Sequence, residues 1–169
     1  MARLFPKIDP SEIENPGERK VAQALVSQLP SRVEVFHSFN WLGTNRAGKL
    51  VEGECDFVVV DPENGVIFVE VKGGSLEFDA ERMEWARVSP TGTHQTINKD
   101  PFAQARTSMH EVLERVNNEL PLARGQLPFT YGYAVAFPDC TYTGSLPAGV
   151  VPDSLLDAAK CRALKPSLE

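Results

Sequence analysis

The spacing of apolar residues changes period several times along the chain, and each change marks an element. Val21, Ala22, Leu25, Val26 and Leu29 recur at helical spacing. Just upstream, Asn15 suits a helix cap, Pro16 the first helical position, and Glu18 lies three residues after the cap; Pro30 ends the run. Residues 33–41 read as a strand, followed by a polar loop holding Gly43, Asn45, Arg46, Gly48 and Lys49. The clearest signal comes next: Phe57-Val58-Val59-Val60 and Val66-Ile67-Phe68-Val69 flank Asp61-Pro62-Glu63-Asn64-Gly65. Proline presets φ and Asn-Gly tolerates positive φ, so this is a β-hairpin. Its strands are apolar on both faces, as strands in the middle of a covered sheet are.

Gly73-Gly74 ends the second strand. Residues 76–78 and 83–88 fit a further hairpin turning at Asp79-Ala80-Glu81, and residues 89–99 read as a polar loop. Asp100-Pro101 caps a second helix whose stripe is Phe102, Ala105, Met109, Val112, Leu113 and Val116. Residues 129–137 form another apolar strand, and a short helix is expected over 154–164. The predicted order is α-β-β-β-β-β-α-β, an α/β chain with helices packed on a mixed sheet.

Composition narrows the class without naming a chemistry. A chain of 169 residues fits one domain with a real core, and no apolar run is long enough to span a membrane. The cysteines, Cys55, Cys140 and Cys161, form no C-x-x-C pair, which points to reduced thiols and a cytoplasmic location. The net charge of −6 argues against broad phosphate binding by the whole surface. The chain is read as the N-terminal part of something longer, with a core at about 15–138 and a C-terminal extension over 139–169 ending in Leu168-Glu169.

Glu70-Val71-Lys72 carries the candidate chemistry. Residues two apart on a strand share a face, so Glu70 and Lys72 project together, beside Val66 and Phe68. With Val60 opposite Val66, Asp56 falls directly across from Glu70, with Cβ atoms about 5 Å apart. Two carboxylates at that separation repel, and a cation relieves them. A one-residue slip in register would undo the pairing. On spacing alone, Lys72 and Glu70 read equally well as a solvated surface pair. Glu18 precedes Val21, Ala22 and Leu25 by three, four and seven residues, which places it on the buried stripe; a capping role explains it equally well. The histidines, His37, His94 and His110, are scattered and show no ligand spacing. Arg46, Lys49, Arg106 and Arg115 are candidate phosphate contacts, each also readable as a solvated charge.

Together, 53–59 (GECDFVV) and 65–74 (GVIFVEVKGG) resemble the nuclease-related domain, NERD, of the PD-(D/E)xK nuclease superfamily. Pro16-Gly17-Glu18 is similar to that family's first-helix motif, and 100–106 (DPFAQAR) to its second-helix glutamine motif, although no tyrosine follows Gln104. The resemblance implies a restriction-endonuclease-like fold, a mixed β-sheet core flanked by helices. It implies a metal-dependent nuclease that hydrolyses phosphodiester bonds in DNA within a DNA-processing or repair protein. Its catalytic residues would be Glu18, Asp56, Glu70, Lys72 and Gln104. Mg²⁺ or Mn²⁺ would be held by Asp56, Glu70, the Val71 backbone carbonyl, and Glu18 through water. It also implies partners: DNA, and a superfamily 1 helicase domain in the same longer chain, with no membrane. The alternative is a non-cleaving nucleic-acid-binding or interaction module fused to a helicase.

Overall fold

The computed structural model describes residues 1–44, 48–120 and 127–164. Nine strands and three α-helices run in the order β1 (Arg3–Phe5), α1 (Pro16–Gln28), β2 (Glu34–Thr44), β3 (Leu50–Asp61), β4 (Gly65–Val71), β5 (Ser75–Asp79), β6 (Glu84–Val88), β7 (His94–Ile97), α2 (Pro101–Glu119), β8 (Tyr131–Phe137), β9 (Leu155–Asp157) and α3 (Ala158–Cys161) among the described residues. Six strands form one mixed sheet in the order β1-β2-β3-β4-β8-β9, and β5-β6-β7 form a smaller antiparallel sheet. In the larger sheet β3 runs antiparallel to both β2 and β4, while β1 on β2, β8 on β4 and β9 on β8 are parallel.

The expected mixed α/β architecture is present, and both long helices start where their caps predict. Asn15 Oδ1 accepts from the N–H groups of Gly17 (2.9 Å) and Glu18 (3.3 Å). Asp100 does the same for Phe102 and Ala103 at the head of α2. Each cap satisfies donors that a helix cannot pair internally. α1 packs Val21, Ala22 and Leu25 on one face of the sheet, against Val35, Phe57, Val59, Val69 and Val71. α2 packs Met109, Val112 and Leu113 on the other, against Cys55, Val58 and Phe68. β3 and β4 are therefore covered on both sides, as their two-faced apolar runs require. A third core, around Trp85, Phe102 and Phe137, joins the small sheet to α2 and β8.

The hairpin register is the one the turn predicts, with Val60 opposite Val66 and Asp61 opposite Gly65. Gly65 sits at φ +113, and an added Cβ would meet the Thr130 carbonyl oxygen at 2.0 Å, so only glycine fits.

Several elements depart from the sequence reading. β3 starts at Leu50, well before Phe57, because a polar ribbon of Glu52, Gly53 and Glu54 extends the pairing with β2. Residues 94–97, expected as loop, form β7 on β6. Residues 155–157, expected within a helix, form β9 beside β8, and only Ala158–Cys161 are helical. β1, unforeseen, lies on β2.

Candidate active site

The regular pairing of β3 lapses at Asp56 on both sides. Toward β2 the ladder runs His37↔Phe57 and then Phe39↔Cys55, passing over Ser38 and Asp56. Toward β4 it stops at Phe57↔Val69, one position before Asp56 would meet Glu70. Alternation breaks at the same place. Phe57 and Val59 face α1, yet Cys55 and Val58 both pack on the α2 side. On β2, Val35 belongs to the α1 side, while Phe36 and Phe39 both lie on the other, with Ser38 between them at φ 51. A non-glycine residue in that region inside a strand costs on the order of 1 kcal/mol. The two strands thus roll over together at Ser38 and Asp56.

This roll redirects the Asp56 side chain. Its Oδ2 accepts the Val71 backbone N–H at 2.6 Å. The next N–H, that of Lys72, points the opposite way to the Ala136 carbonyl of β8 at 2.9 Å. Glu70 is almost fully buried at 4% exposure, and it accepts from Lys72 Nζ at 2.6 Å. Burial, then the Glu70 charge, push the Asp56 carboxyl up to about 7; Glu18 adds to the rise, and the Val71 N–H and Lys72 oppose it. The same negative field reaches Cys55, whose thiol is pushed up to about 12 by burial first and then by Asp56 and Glu70. That thiol is inert at neutral pH.

Glu18 comes from the first turn of α1. The turn sits close to β4: a Cβ on Gly17 would lie 3.4 Å from both Gly73 Cα and Val71 Cγ1. Glu18 faces the sheet, as its place on the apolar stripe predicts, and its Oε2 lies 2.8 Å from His37 Nε2. His37 in turn packs its ring on Phe57, with centroids 5.1 Å apart. The structure therefore brings Glu18, Asp56, Glu70 and Lys72 to one end of the central hairpin.

Gln104 stands apart from this group. It lies in the first turn of α2, half-buried, on a groove of about 440 Å³ shared with Trp41, Glu52, Glu54, Lys99 and Ser108. Ser108 Oγ donates to the Glu54 carbonyl at 3.3 Å, which fixes α2 to the β3 segment leading into Asp56. No hydrogen bond among the described residues joins Gln104 to Lys72 or to the carboxylates. Arg106 and Arg115 are exposed on α2, and Arg46 lies outside the described residues.

Two side chains escaped the sequence reading. Asp139, just after β8, accepts from Gly74 N at 2.7 Å and pairs with Lys20 of α1. It ties the Glu18 helix to the turn after Lys72, and Arg87 Nε holds the Gly73 carbonyl of that turn at 3.0 Å. Nothing local in Pro138-Asp139-Cys140 announces this role. His37 was legible in part: it alternates with Val33 and Val35, so the buried face of β2 was its natural place.

The model of the nuclease-related domain family, NERD, matches residues 13–138, about three quarters of the chain. The chain belongs to the nuclease-related domain family. The matched span of this NERD chain holds Glu18, Asp56, Glu70, Lys72 and Gln104, and ends one residue before Asp139. No curated protein and no solved structure matches the chain. No helix among the described residues is long and apolar enough to cross a membrane.

The NERD site has the donor chemistry of a hard-cation site: two adjacent carboxylates, with the Val71 peptide between Glu70 and Lys72. Among the described residues, however, no three His, Cys, Asp or Glu side chains are gathered closely enough to hold a metal ion. Each of these carboxylates has an internal donor. Glu70 is engaged by Lys72, Glu18 by His37 and Asp56 by the Val71 N–H. Carboxylates and a backbone carbonyl are nonetheless the oxygen donors that hard cations take. The residues therefore fit a divalent cation by chemistry, with their oxygens still turned to internal donors.

Proposed function

We propose that this NERD domain is a metal-dependent phosphodiesterase acting on DNA, with Mg²⁺ or Mn²⁺ held by Asp56, Glu70 and the Val71 carbonyl. The observation that carries the reading is the buried Glu70 carboxylate beside Asp56, at a break in the sheet, with a lysine on the same strand face. Crowded buried carboxylates are costly unless a cation joins them. Bound there, the cation would polarise the scissile phosphate and lower the pKa of a water molecule.

The remaining roles belong to the chain itself. Lys72 has donors only, so its ammonium orients water and offsets charge developing on the phosphate. Glu70, bonded to Nζ, sets the direction of that ammonium. Glu18 supplies a further carboxylate from α1, acting through water. Gln104, on the groove beside β3, contacts the substrate strand. A partner helicase in a longer chain would deliver DNA to the site and compensate for a net charge of −6.

A second reading, a domain that binds nucleic acid without cutting it, is favoured by one observation: no three ligand side chains are gathered for a metal among the described residues. Incubation with labelled single- and double-stranded DNA in Mn²⁺, Mg²⁺ or EDTA separates the two. Cleavage with either metal and none in EDTA is expected. Binding of DNA without cleavage in either metal would favour the second reading.

A further inference from the structure

We infer that His37 is a positioning residue of this site: it holds the Glu18 carboxylate in place for divalent-cation binding at Asp56 and Glu70. The inference rests on the metal-dependent reading above and adds a residue outside the four-part motif that suggested it.

Three observations converge. His37 Nε2 lies 2.8 Å from Glu18 Oε2, and the two side chains are only 12% and 16% exposed. An ionised carboxylate only accepts, so Nε2 carries the hydrogen in this pair. Second, the imidazole is held in place: its ring lies 5.1 Å from that of Phe57, the residue next to Asp56 and the register partner of His37. Third, the backbone is built around this placement. Ser38 adopts φ 51, the strand rolls over there, and Asn40 Nδ2 bonds the Ser38 carbonyl at 3.0 Å. Without the roll, His37 and Phe39 would share a face. With it, Phe39 turns to the α2 side and His37 stays with Glu18.

A glutamate in the first turn of a helix has several free torsions and would otherwise sample many positions. The His37 donor selects one, directly beside the break in β3 that turns Asp56 inward. Nε2 is already engaged by Glu18, which gives His37 the part of an outer partner of a ligand. Such partners orient metal ligands, and their loss typically weakens metal binding about 10–100-fold.

The test is calorimetric titration of the full chain with MnCl₂ alone. The variants are His37→Leu, His37→Gln, Glu18→Gln and the double variant Glu18→Gln/His37→Leu, with folding checked by circular dichroism. His37→Leu should weaken Mn²⁺ binding about tenfold. His37→Gln, which keeps an N–H donor at similar reach, should recover affinity to within about threefold of wild type. In the Glu18→Gln background, adding His37→Leu should change affinity by less than about twofold, since the two residues act as one unit. If His37→Leu does not fold, His37→Asn, which is too short to reach Glu18, is read on the same scale. Unchanged affinity in the donor-lacking variant, or an equal loss with and without Glu18, overturns the inference while leaving the metal-dependent reading intact. A wild-type chain with no affinity for Mn²⁺ overturns both.

Discussion

Two aspartates on β3, five residues apart, meet opposite fates. Asp61, at the turn end of the hairpin, accepts from Arg32 Nε at 2.8 Å and Nη2 at 3.0 Å, and its carboxyl is held down at about 2, chiefly by that bond. Asp56, at the open end, has no arginine partner among the described residues; burial and Glu70 lift it to about 7. Strand type and residue type are the same, so the difference lies in what surrounds each. At the turn the ladder is complete, and Asp61 also receives the Glu63 N–H and the Asn64 side chain. At the open end the ladder lapses, and Lys72 bonds Glu70 while reaching Asp56 only weakly through space, with Glu18 nearby. A charge that is fully answered is structural. A charge left in excess, buried and next to a like charge, marks a candidate functional site, which the proposed function fills with a cation.

The largest test of this contrast removes the Lys72 ammonium. Lys72→Ala is expected to lower single-turnover DNA cleavage about 10³-fold, roughly 4 kcal/mol of barrier, while Mn²⁺ binding persists. Arg32→Ala, the corresponding cation at the other end, should leave the cleavage rate within about twofold, because exposed pairs carry little energy. Equal rates for wild type and Lys72→Ala would end the proposed role of Lys72.

Next in size is the response to metal. At about a hundred times its Kd, Mn²⁺ should raise the wild-type Tm by roughly 5–10 °C, because it binds only the folded chain. Asp56→Ala should erase that rise, and Asp61→Ala should keep it. Differential scanning calorimetry of the three proteins decides the matter. A rise preserved in Asp56→Ala would place the cation elsewhere.

The part of this contrast that could be read from the sequence was the local part. Pro62, Asn64 and Gly65 fixed the turn and the turn fixed Val60 opposite Val66; counting back predicted Asp56 across from Glu70, whereas the ladder stops one step short, at Phe57↔Val69. Asn15 and Asp100 announced their helices because a cap is a contact between residues two or three apart. What was hidden is long-range or lacks apolar contrast. β7, with His94-Gln95-Thr96-Ile97, is mostly exposed and polar, so no alternation betrayed it. Leu155-Leu156 suits a helix or a strand, and only the free edge of β8 decides for the strand. The roll at Ser38 and Asp56 has no sequence signature, since it arises from two strands adjusting together. Asp139 binds partners 65 and 119 residues away. That Glu18, Asp56, Glu70 and Lys72 would gather at one end of the hairpin was legible; His37, which bonds Glu18, was legible only in part, and Asp139, which ties α1 to the turn after Lys72, not at all.

The pH dependence of stability sharpens the comparison further, because the two aspartates act with opposite sign. Asp56 has a folded pKa of about 7, above the unfolded value of about 4. Its contribution is fully present below the unfolded pKa, and it is lost as pH rises through about 7. In EDTA, wild type should therefore lose on the order of 1–2 kcal/mol between pH 5 and 8, relative to Asp56→Asn, after discounting for partial contact with water. Asparagine keeps the acceptor for the Val71 N–H but cannot ionise, so this variant isolates the charge. Thermal melts of both proteins at pH 5, 6, 7 and 8 give the difference directly. Parallel curves would show that Asp56 is not under this strain.

The smallest effect belongs to the turn. Asp61 has a folded pKa of about 2, so its contribution is present above the unfolded value near 4 and is lost as pH falls toward 2. Arg32, though, is substantially exposed, at 39%, and it divides its guanidinium between Asp61 and Glu63. Solvent and salt screen such a pair, and the hydrogen bonds from Glu63 N and Asn64 to Asp61 survive its removal. Arg32→Ala should thus lower the Tm by no more than about 2 °C at pH 7 in dilute buffer, and by less in 1 M NaCl. The Mn²⁺-induced rise should be the same size as in wild type, because the turn lies at the far end of the hairpin from the carboxylate pair. Melts at low and high salt, each with and without Mn²⁺, measure both quantities in one series. A loss well beyond 2 °C that salt does not reduce would mean that Arg32 secures the hairpin register. In that event the two ends of β3 would be coupled through the strand, and the contrast between a settled and an unsettled aspartate would have to be redrawn as one connected network.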